Sequence, residues 1–230
     1  MSESLASVVW LSLEIAFAST ALGVVPAVVV AYVLSRASFR GKVLVEGLVN
    51  LPLVLPPVST GYLLLLVFGR RGLLGRPLDE VFGITLAFTS AAAVIASAVV
   101  AFPLVTRSIR LAFDLVDRRY EEAAAVLGAS RLQVLWRVTL PLVLPGILSG
   151  SVLGFARSLG EFGATITFAG NIPGETRTIP VAVYSLMELP GEERAAGVLV
   201  VCSVLLSFAA LAVSSLLTRQ TSRVKGPSAS

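Results

Sequence analysis

Histidine is absent from this chain of 230 residues, and cysteine occurs once, at Cys202. A single thiol forms no internal disulfide. Without His or a second Cys there is also no cluster with metal-ligand spacing, so no metal and no cofactor is expected. Charge is the next scarcity. Asp, Glu, Lys and Arg supply 14% of the residues against 56% hydrophobic, where soluble domains hold about 25% charged and about 45–50% apolar residues. With a mean hydropathy of +0.89, the composition is that of an integral membrane protein, read as one all-α transmembrane domain over residues 1–230. Lysine is nearly missing too. A phosphate-binding loop needs Gly, four residues, then Gly-Lys-Ser/Thr, and the two lysines, Lys42 and Lys225, are followed by Val43 and Gly226. No enzymatic activity is therefore expected of the chain. Its formal charge of +4 does not point to nucleic acid, because the basic residues flank apolar runs, the placement that orients a membrane chain.

About 20 apolar residues at about 1.5 Å each cross a bilayer core. Five stretches qualify: residues 8–34, 47–68, 83–105, 140–164 and 195–217. The start, MSESLASVVW, is acidic and runs into a long span, so it is read as the first helix and not as a cleaved signal. There is no internal repeat, and the end, VKGPSAS, reads as a frayed tail.

Orientation follows from the basic residues beside the spans. Arg36, Arg40, Lys42, Arg107, Arg110, Arg118, Arg119, Arg131, Arg137, Arg219, Arg223 and Lys225 fall on one side, twelve of the eighteen. That side is assigned to the cytoplasm, which places the N-terminus outside and the C-terminus inside. Arg70, Arg71 and Arg76 oppose this, offset only by Asp79 and Glu80.

The assigned cytoplasmic loop, about 108–139, contains DRRYEEAAAVLGASRLQVLWRVTLP. Asp117 can cap a helix whose first turn carries Glu121 and Glu122, acids that suit the positive end of the macrodipole, and Ala123, Ala124 and Ala125 extend it. Gly128 ends it. Ser130 and Gln133 have capping-box spacing and open a second helix that presents Leu132, Leu135 and Trp136. The expected product is a helix-turn-helix elbow with an Ala-rich flank.

Glu122-Ala123-Ala124, Gly128, Val138 and Leu140-Pro141 resemble in order and spacing the EAA loop of ABC importer permeases, with Val138 where that pattern usually has Ile. LPLVLPPVSTGYLLLLVFG, ARSLGEFGATITF and NIPGETRTIPVAVY look like molybdate permeases, with sulfate permeases as near relatives. The resemblance covers nearly the whole chain. It implies a five-transmembrane-helix type I ABC importer permease in the cell's inner membrane, working as a homodimer with two ABC ATPase subunits and an extracytoplasmic molybdate-binding protein. The cargo would be molybdate and also tungstate, with sulfate or another oxyanion as the alternative. It makes the elbow a coupling element docked on the ATPase, carried by Glu121, Glu122, Ala123, Ala124, Gly128 and Leu132.

Polar groups within the spans add candidates. In a continuous fourth helix Arg157 stands about 22 Å beyond Leu142 and Glu161 about 6 Å further on the same face. Ionisable groups at such depth face the protein interior or water and are partnered. An Arg157–Glu161 pair could lock the helix end, line the translocation pathway near its outer gate, or both. Gly160 and Gly163 loosen this region, and the hydroxyls of Ser158, Thr165 and Thr167 suit oxyanion oxygens. Glu14 is expected at the lipid interface. Pro52, Pro56 and Pro57 should kink the second span, as a gate hinge or an ordinary bend, and Gly61 allows close helix approach. Residues 177–191, RTIPVAVYSLMELPG, are too short to span and read as an amphipathic outer-surface helix, lying under a solute-binding protein or capping the bundle.

Two other classes compete. A self-sufficient secondary transporter fits poorly with five spans, no repeat and a long elbow. A membrane scaffold does not require charges deep in the fourth span. The orientation is testable directly: in a Cys202→Ser background, cysteine at Ser2 should react with a membrane-impermeant thiol reagent in intact cells and cysteine at Ser228 should not. The reverse pattern contradicts the assignment.

Overall fold

The computed structural model describes residues 4–224, with side chains described to Leu216. The acidic Glu3, the sites of the labelling test and Lys225 lie outside the described residues, as do the side chains of Arg219 and Arg223. All regular structure among the described residues is helical. Four helices are long and apolar enough to cross a membrane: Leu5–Arg36, Ser90–Leu115, Arg131–Leu159 and Glu193–Leu216. A fifth crossing is made only if the pair Lys42–Val54 and Pro57–Phe68, bent by 115°, counts as one broken span.

The helices are α1 (Leu5–Arg36), α2 (Lys42–Val54), α3 (Pro57–Phe68), α4 (Gly75–Phe82), α5 (Ser90–Leu115), α6 (Arg118–Val126), α7 (Arg131–Val134), α8 (Leu140–Leu159), α9 (Gly163–Phe168), α10 (Ile179–Met187) and α11 (Glu193–Val224). A π turn, Leu135–Thr139, joins α7 to α8 without interruption.

The second span is broken rather than kinked. Pro57 has no amide for the helix ladder and pushes its predecessor to extended backbone. Leu55 and Pro56 take ψ of 143° and 134°, and α3 restarts with Pro57 at its first position, where the missing N–H costs nothing. The third span does not begin at Gly83. Gly83, at φ +66°, closes α4, and the helix starts at Ser90 once the Thr89 side chain can accept the amide of Ala92 at 3.3 Å.

Small residues set the packing, as expected where lipid offers no hydrophobic drive between helices and close van der Waals approach must supply the association. Gly146, Gly150 and Gly154 stand four residues apart and form one face of α8. A Cβ at Gly146 would lie 2.2 Å from Ala112 Cβ, one at Gly150 3.1 Å from Ile109 Cγ1, and one at Gly154 2.5 Å from Val105 Cγ2. All three partners belong to α5. Ala27 and Ala31 of α1 join Val105, Ile109 and Phe113 of α5 and Val143 of α8 in one buried cluster.

A second cluster, around Ile15, Leu64, Ala92, Ala96, Ala164 and Phe168, joins α1, α3, α5 and α9 near the opposite end. There Gly61 abuts α9: a Cβ would lie 2.7 Å from the Ala164 carbonyl. The close approach anticipated for Gly61 is thus made to the short α9.

The two ends differ in charge pairing. At the end where α1 and α5 finish, Arg36 pairs with Glu121 at 2.9 Å and Arg110 with Glu46 at 2.8 Å. At the other end, Arg70 pairs with Asp79 at 3.0 Å and Arg76 with Glu80 at 2.7 Å. Hydrogen bonds from Arg70 and Thr85 hold the Asp79 carboxyl below the usual carboxylate range.

Candidate functional site

The elbow leaves α5 at Leu115 and is built from local signals. The Asp117 carboxylate accepts the Arg119 amide at 3.0 Å and opens α6. Gly128 takes φ +88°, and its amide and that of Ala129 bond back to the Ala125 and Ala124 carbonyls at 3.0 and 3.1 Å, closing α6 in a left-handed cap. Ser130 and Gln133 form a reciprocal capping box, with Ser130 N donating to Gln133 Oε1 at 2.9 Å and Gln133 N to Ser130 Oγ at 3.4 Å.

The elbow presents an uncovered apolar crest. Val126 and Leu127 are 88% and 87% exposed, Leu132 and Trp136 each 65%. Glu122 and Ala123 are exposed beside them, and Ala124 is half-covered. Such a crest on a segment between two membrane helices is the kind of patch that marks a protein or membrane contact.

Glu121 parts company with Glu122. It turns toward the bundle, where Oε1 accepts from Arg36 Nη2 and from Thr139 Oγ1, both at 2.9 Å. Sequence reasoning grouped the two acids because they are adjacent. On a helix, neighbours point about 100° apart, so adjacent residues serve different faces.

The other candidate group gathers where α8 ends. The expected continuous helix through residue 164 is interrupted. α8 stops at Leu159, Gly160 caps it, and α9 begins at Gly163. Glu161, 2% exposed, sits in the break and satisfies both sides: Oε2 meets Arg157 Nη2 at 2.8 Å and Oε1 accepts the Ala164 amide at 2.9 Å. The pairing read from the sequence is present, yet not as two residues on one helical face. The carboxylate bridges two helices and supplies an acceptor that a broken ladder lacks.

The remaining members of this group are mostly turned inward. Ser158 Oγ accepts from Ser19 Oγ of α1 at 3.0 Å, and Thr165 is fully buried, with no partner for its hydroxyl among the described residues. Thr167 is used locally, donating to the Gly163 carbonyl at 2.8 Å. A Cβ on Gly163 would come 2.7 Å from Pro57 Cβ, so the break after α8 packs directly on the break before α3. Arg157 and Gly160 retain open surface. Glu14 is exposed on α1.

Beyond the break, Ser90 Oγ donates to the Glu175 carbonyl at 3.0 Å and Thr176 Oγ1 accepts the Ile172 amide at 2.9 Å. The helix expected within 177–191 is α10. It buries Ile179, Val181 and Ala182, is capped where Ser12 Oγ accepts the Ile179 amide at 2.8 Å, and leaves Tyr184 and Met187 exposed. The glycine face of α8 is a feature that sequence reasoning missed, although its four-residue spacing was legible.

The bridging role of Glu161 gives a graded expectation. Glu161→Gln keeps an acceptor for Ala164 but leaves Arg157 uncompensated, while Glu161→Leu loses both. Breaking a fully buried pair costs about 3–5 kcal/mol, and Arg157 keeps 32% of its side chain open. A loss of about 1–3 kcal/mol is therefore expected for Glu161→Gln, more for Glu161→Leu, and partial recovery with Arg157→Met/Glu161→Gln. Thermal unfolding of the detergent-purified protein measures it; equal stability of all three contradicts the bridge.

Residues 19–226 match the family described as binding-protein-dependent transport system inner membrane component. The molybdenum transport system permease protein ModB of Haemophilus influenzae is 49% identical over 220 residues, covering 96% of both chains. ModB of Escherichia coli K12 is 55% identical over 189 residues, 82% of each. Among solved structures, a chain of a bacterial alginate ABC transporter, in complex with an alginate pentasaccharide-bound periplasmic protein, aligns with TM-score 0.70 at 17% identity, covering all of this chain and 82% of the other. A chain of the MetNI methionine ABC transporter in an inward-facing conformation aligns with TM-score 0.68 at 20% identity, covering 93% and 95%. The last two show a shared fold. The chain is a multi-pass inner-membrane protein, and it belongs to the family of inner-membrane components of binding-protein-dependent transport systems.

Proposed function

We propose that this chain is the non-catalytic permease subunit of an ATP-driven importer for molybdate, and also tungstate, forming the translocation pathway as a homodimer. Two ABC ATPase subunits bind from the cytoplasm and an extracytoplasmic binding protein delivers the oxyanion. Identities of 49% and 55% to molybdenum permeases over most of the chain support the cargo. The observation that carries the ATPase reading is the elbow, a capped helix-turn-helix whose apolar crest nothing covers among the described residues.

Two further features fit. No residue of α2 is buried among the described residues, while Val43, Leu44, Leu48 and Val54 are each more than two-thirds exposed. A face so apolar suits a second copy and lipid. At the end assigned to the outside, Arg70 and Arg76 are paired with Asp79 and Glu80. The wider count of Lys and Arg beside the spans still favours a cytoplasmic location for the elbow.

Gly128 supplies the test. A Cβ there meets no neighbour among the described residues, but φ +88° penalises any L side chain, by about 1–2 kcal/mol. Gly128→Val should therefore insert normally, lose co-purifying ATPase and abolish labelled molybdate uptake, while Glu122→Ala is milder. Retention of both ATPase and uptake by Gly128→Val means that the elbow is not the coupling element. Excess unlabelled tungstate should compete with molybdate and sulfate should not; the opposite result makes the chain a sulfate permease.

A further inference from the structure

The polar side chains at the foot of the elbow are more organised than docking requires. Arg36 closes α1, Glu121 lies in the first turn of α6, and Thr139 ends the π turn that leads into α8. One carboxylate oxygen, Glu121 Oε1, joins all three at 2.9 Å to each partner. The side chains of Arg36 and Glu121 are 13% and 21% exposed, so the pair is partly desolvated and stronger than a surface ion pair. Arg36 Nε is buried without a partner, which makes Glu121 the one anion that Arg36 meets among the described residues.

Thr139 also reaches back to the Val134 carbonyl at 3.5 Å, within the wide π turn. A π turn spreads the backbone at the root of a membrane helix and is often found at functional positions. Next to Arg36 in sequence, Ser35 Oγ donates to Asp114 Oδ1, Asp114 lies 3.8 Å from Arg110, and Arg110 pairs with Glu46 of α2. One network thus ties the elbow to α1 and to the π turn that opens α8, and the adjoining one ties α1 to α5 and α5 to α2. The exposed Glu122 and the crest have no part in either.

Resting on the permease reading above, we propose that Glu121 is a positioning residue for energy coupling: with Arg36 and Thr139 it fixes the elbow to α1 and to the π turn of α8, so that displacement of the elbow by the ATPase moves those spans. A crest contact alone would act on α6 without engaging α1, because α6 joins its neighbours in sequence through the turns at Val116-Asp117 and Gly128. The shared carboxylate makes that link, and coupling between sites needs an element that both bias.

The test uses the whole importer, with ATPase and binding protein, reconstituted in liposomes. Molybdate uptake and ATP hydrolysis are measured together for Glu121→Gln, Thr139→Val and the exchange Arg36→Glu/Glu121→Arg. Glu121→Gln should still co-purify with its ATPase, while the molybdate moved per ATP hydrolysed falls at least about fivefold, the lower range for coupling between sites. Thr139→Val, which keeps the ion pair, should fall between it and wild type, and the exchange should recover part of the ratio. A wild-type ratio in Glu121→Gln overturns the proposal. So does loss of ATPase from that variant, which would make Glu121 a docking contact. Reduced yields that the exchange restores, with the ratio unchanged throughout, would make the triad a structural brace and overturn it as well. Failure of the permease reading is separately visible, as absence of co-purifying ATPase and of molybdate uptake with the wild-type chain.

Discussion

Close approach between α5 and α8 governs the architecture. Three glycines four residues apart on α8 meet Ala112, Ile109 and Val105 of α5 at distances that leave no room for a Cβ at Gly146 or Gly154. In lipid, where apolar surface gains nothing by leaving the solvent, such van der Waals contact holds helices together. The elbow is the connection between these same two helices. Its ends are therefore fixed with respect to each other, and it can be a short, capped, outward-pointing structure without a core of its own. Movement of the elbow as a unit must be passed into a hairpin that extends, by helical rise, about 30 Å along α8.

At the far end of that hairpin the backbone is irregular, and the irregularities are gathered. The break at Pro56 and Pro57 packs against the break at Gly160 to Gly163, with Gly163 on Pro57 and Gly61 on Ala164. Unsatisfied backbone within a bilayer is costly, so interrupted helices persist only where protein or water supplies partners. Glu161 is such a partner, capping α9 through Ala164 while neutralising Arg157. The region most suited to shape change thus sits opposite the elbow, joined to it by the rigid α5–α8 contact. The hydroxyls of Ser158 and Thr165 are buried here, whereas Arg157 and Gly160 keep open surface.

Local signals were the legible part of the sequence. Asp117, Gly128 and the Ser130–Gln133 box act within four residues of chain, and each appears as read. The Arg157–Glu161 pair also forms, though across the break after α8 and not on one helical face. Signals that depend on distant chain were not legible. Hydropathy alone cannot distinguish a kinked from a broken second span, nor see that Gly83 closes one helix while Thr89 opens the next. Glu121 looked like a twin of Glu122 until α1 and the π turn brought Arg36 and Thr139 against it, 85 and 18 residues away.

Contact between the elbow crest and a separate ATPase is the central claim, and site-directed cross-linking tests it most directly. With Leu127→Cys in a Cys202→Ser background, a short thiol-to-amine reagent applied to inverted membrane vesicles should yield an adduct of this chain with the ATPase subunit. Cysteine placed at Leu73, 81% exposed at the opposite end, should yield none. An adduct at Leu73 and not at Leu127, or adducts at Leu127 with lipid alone, would contradict the account.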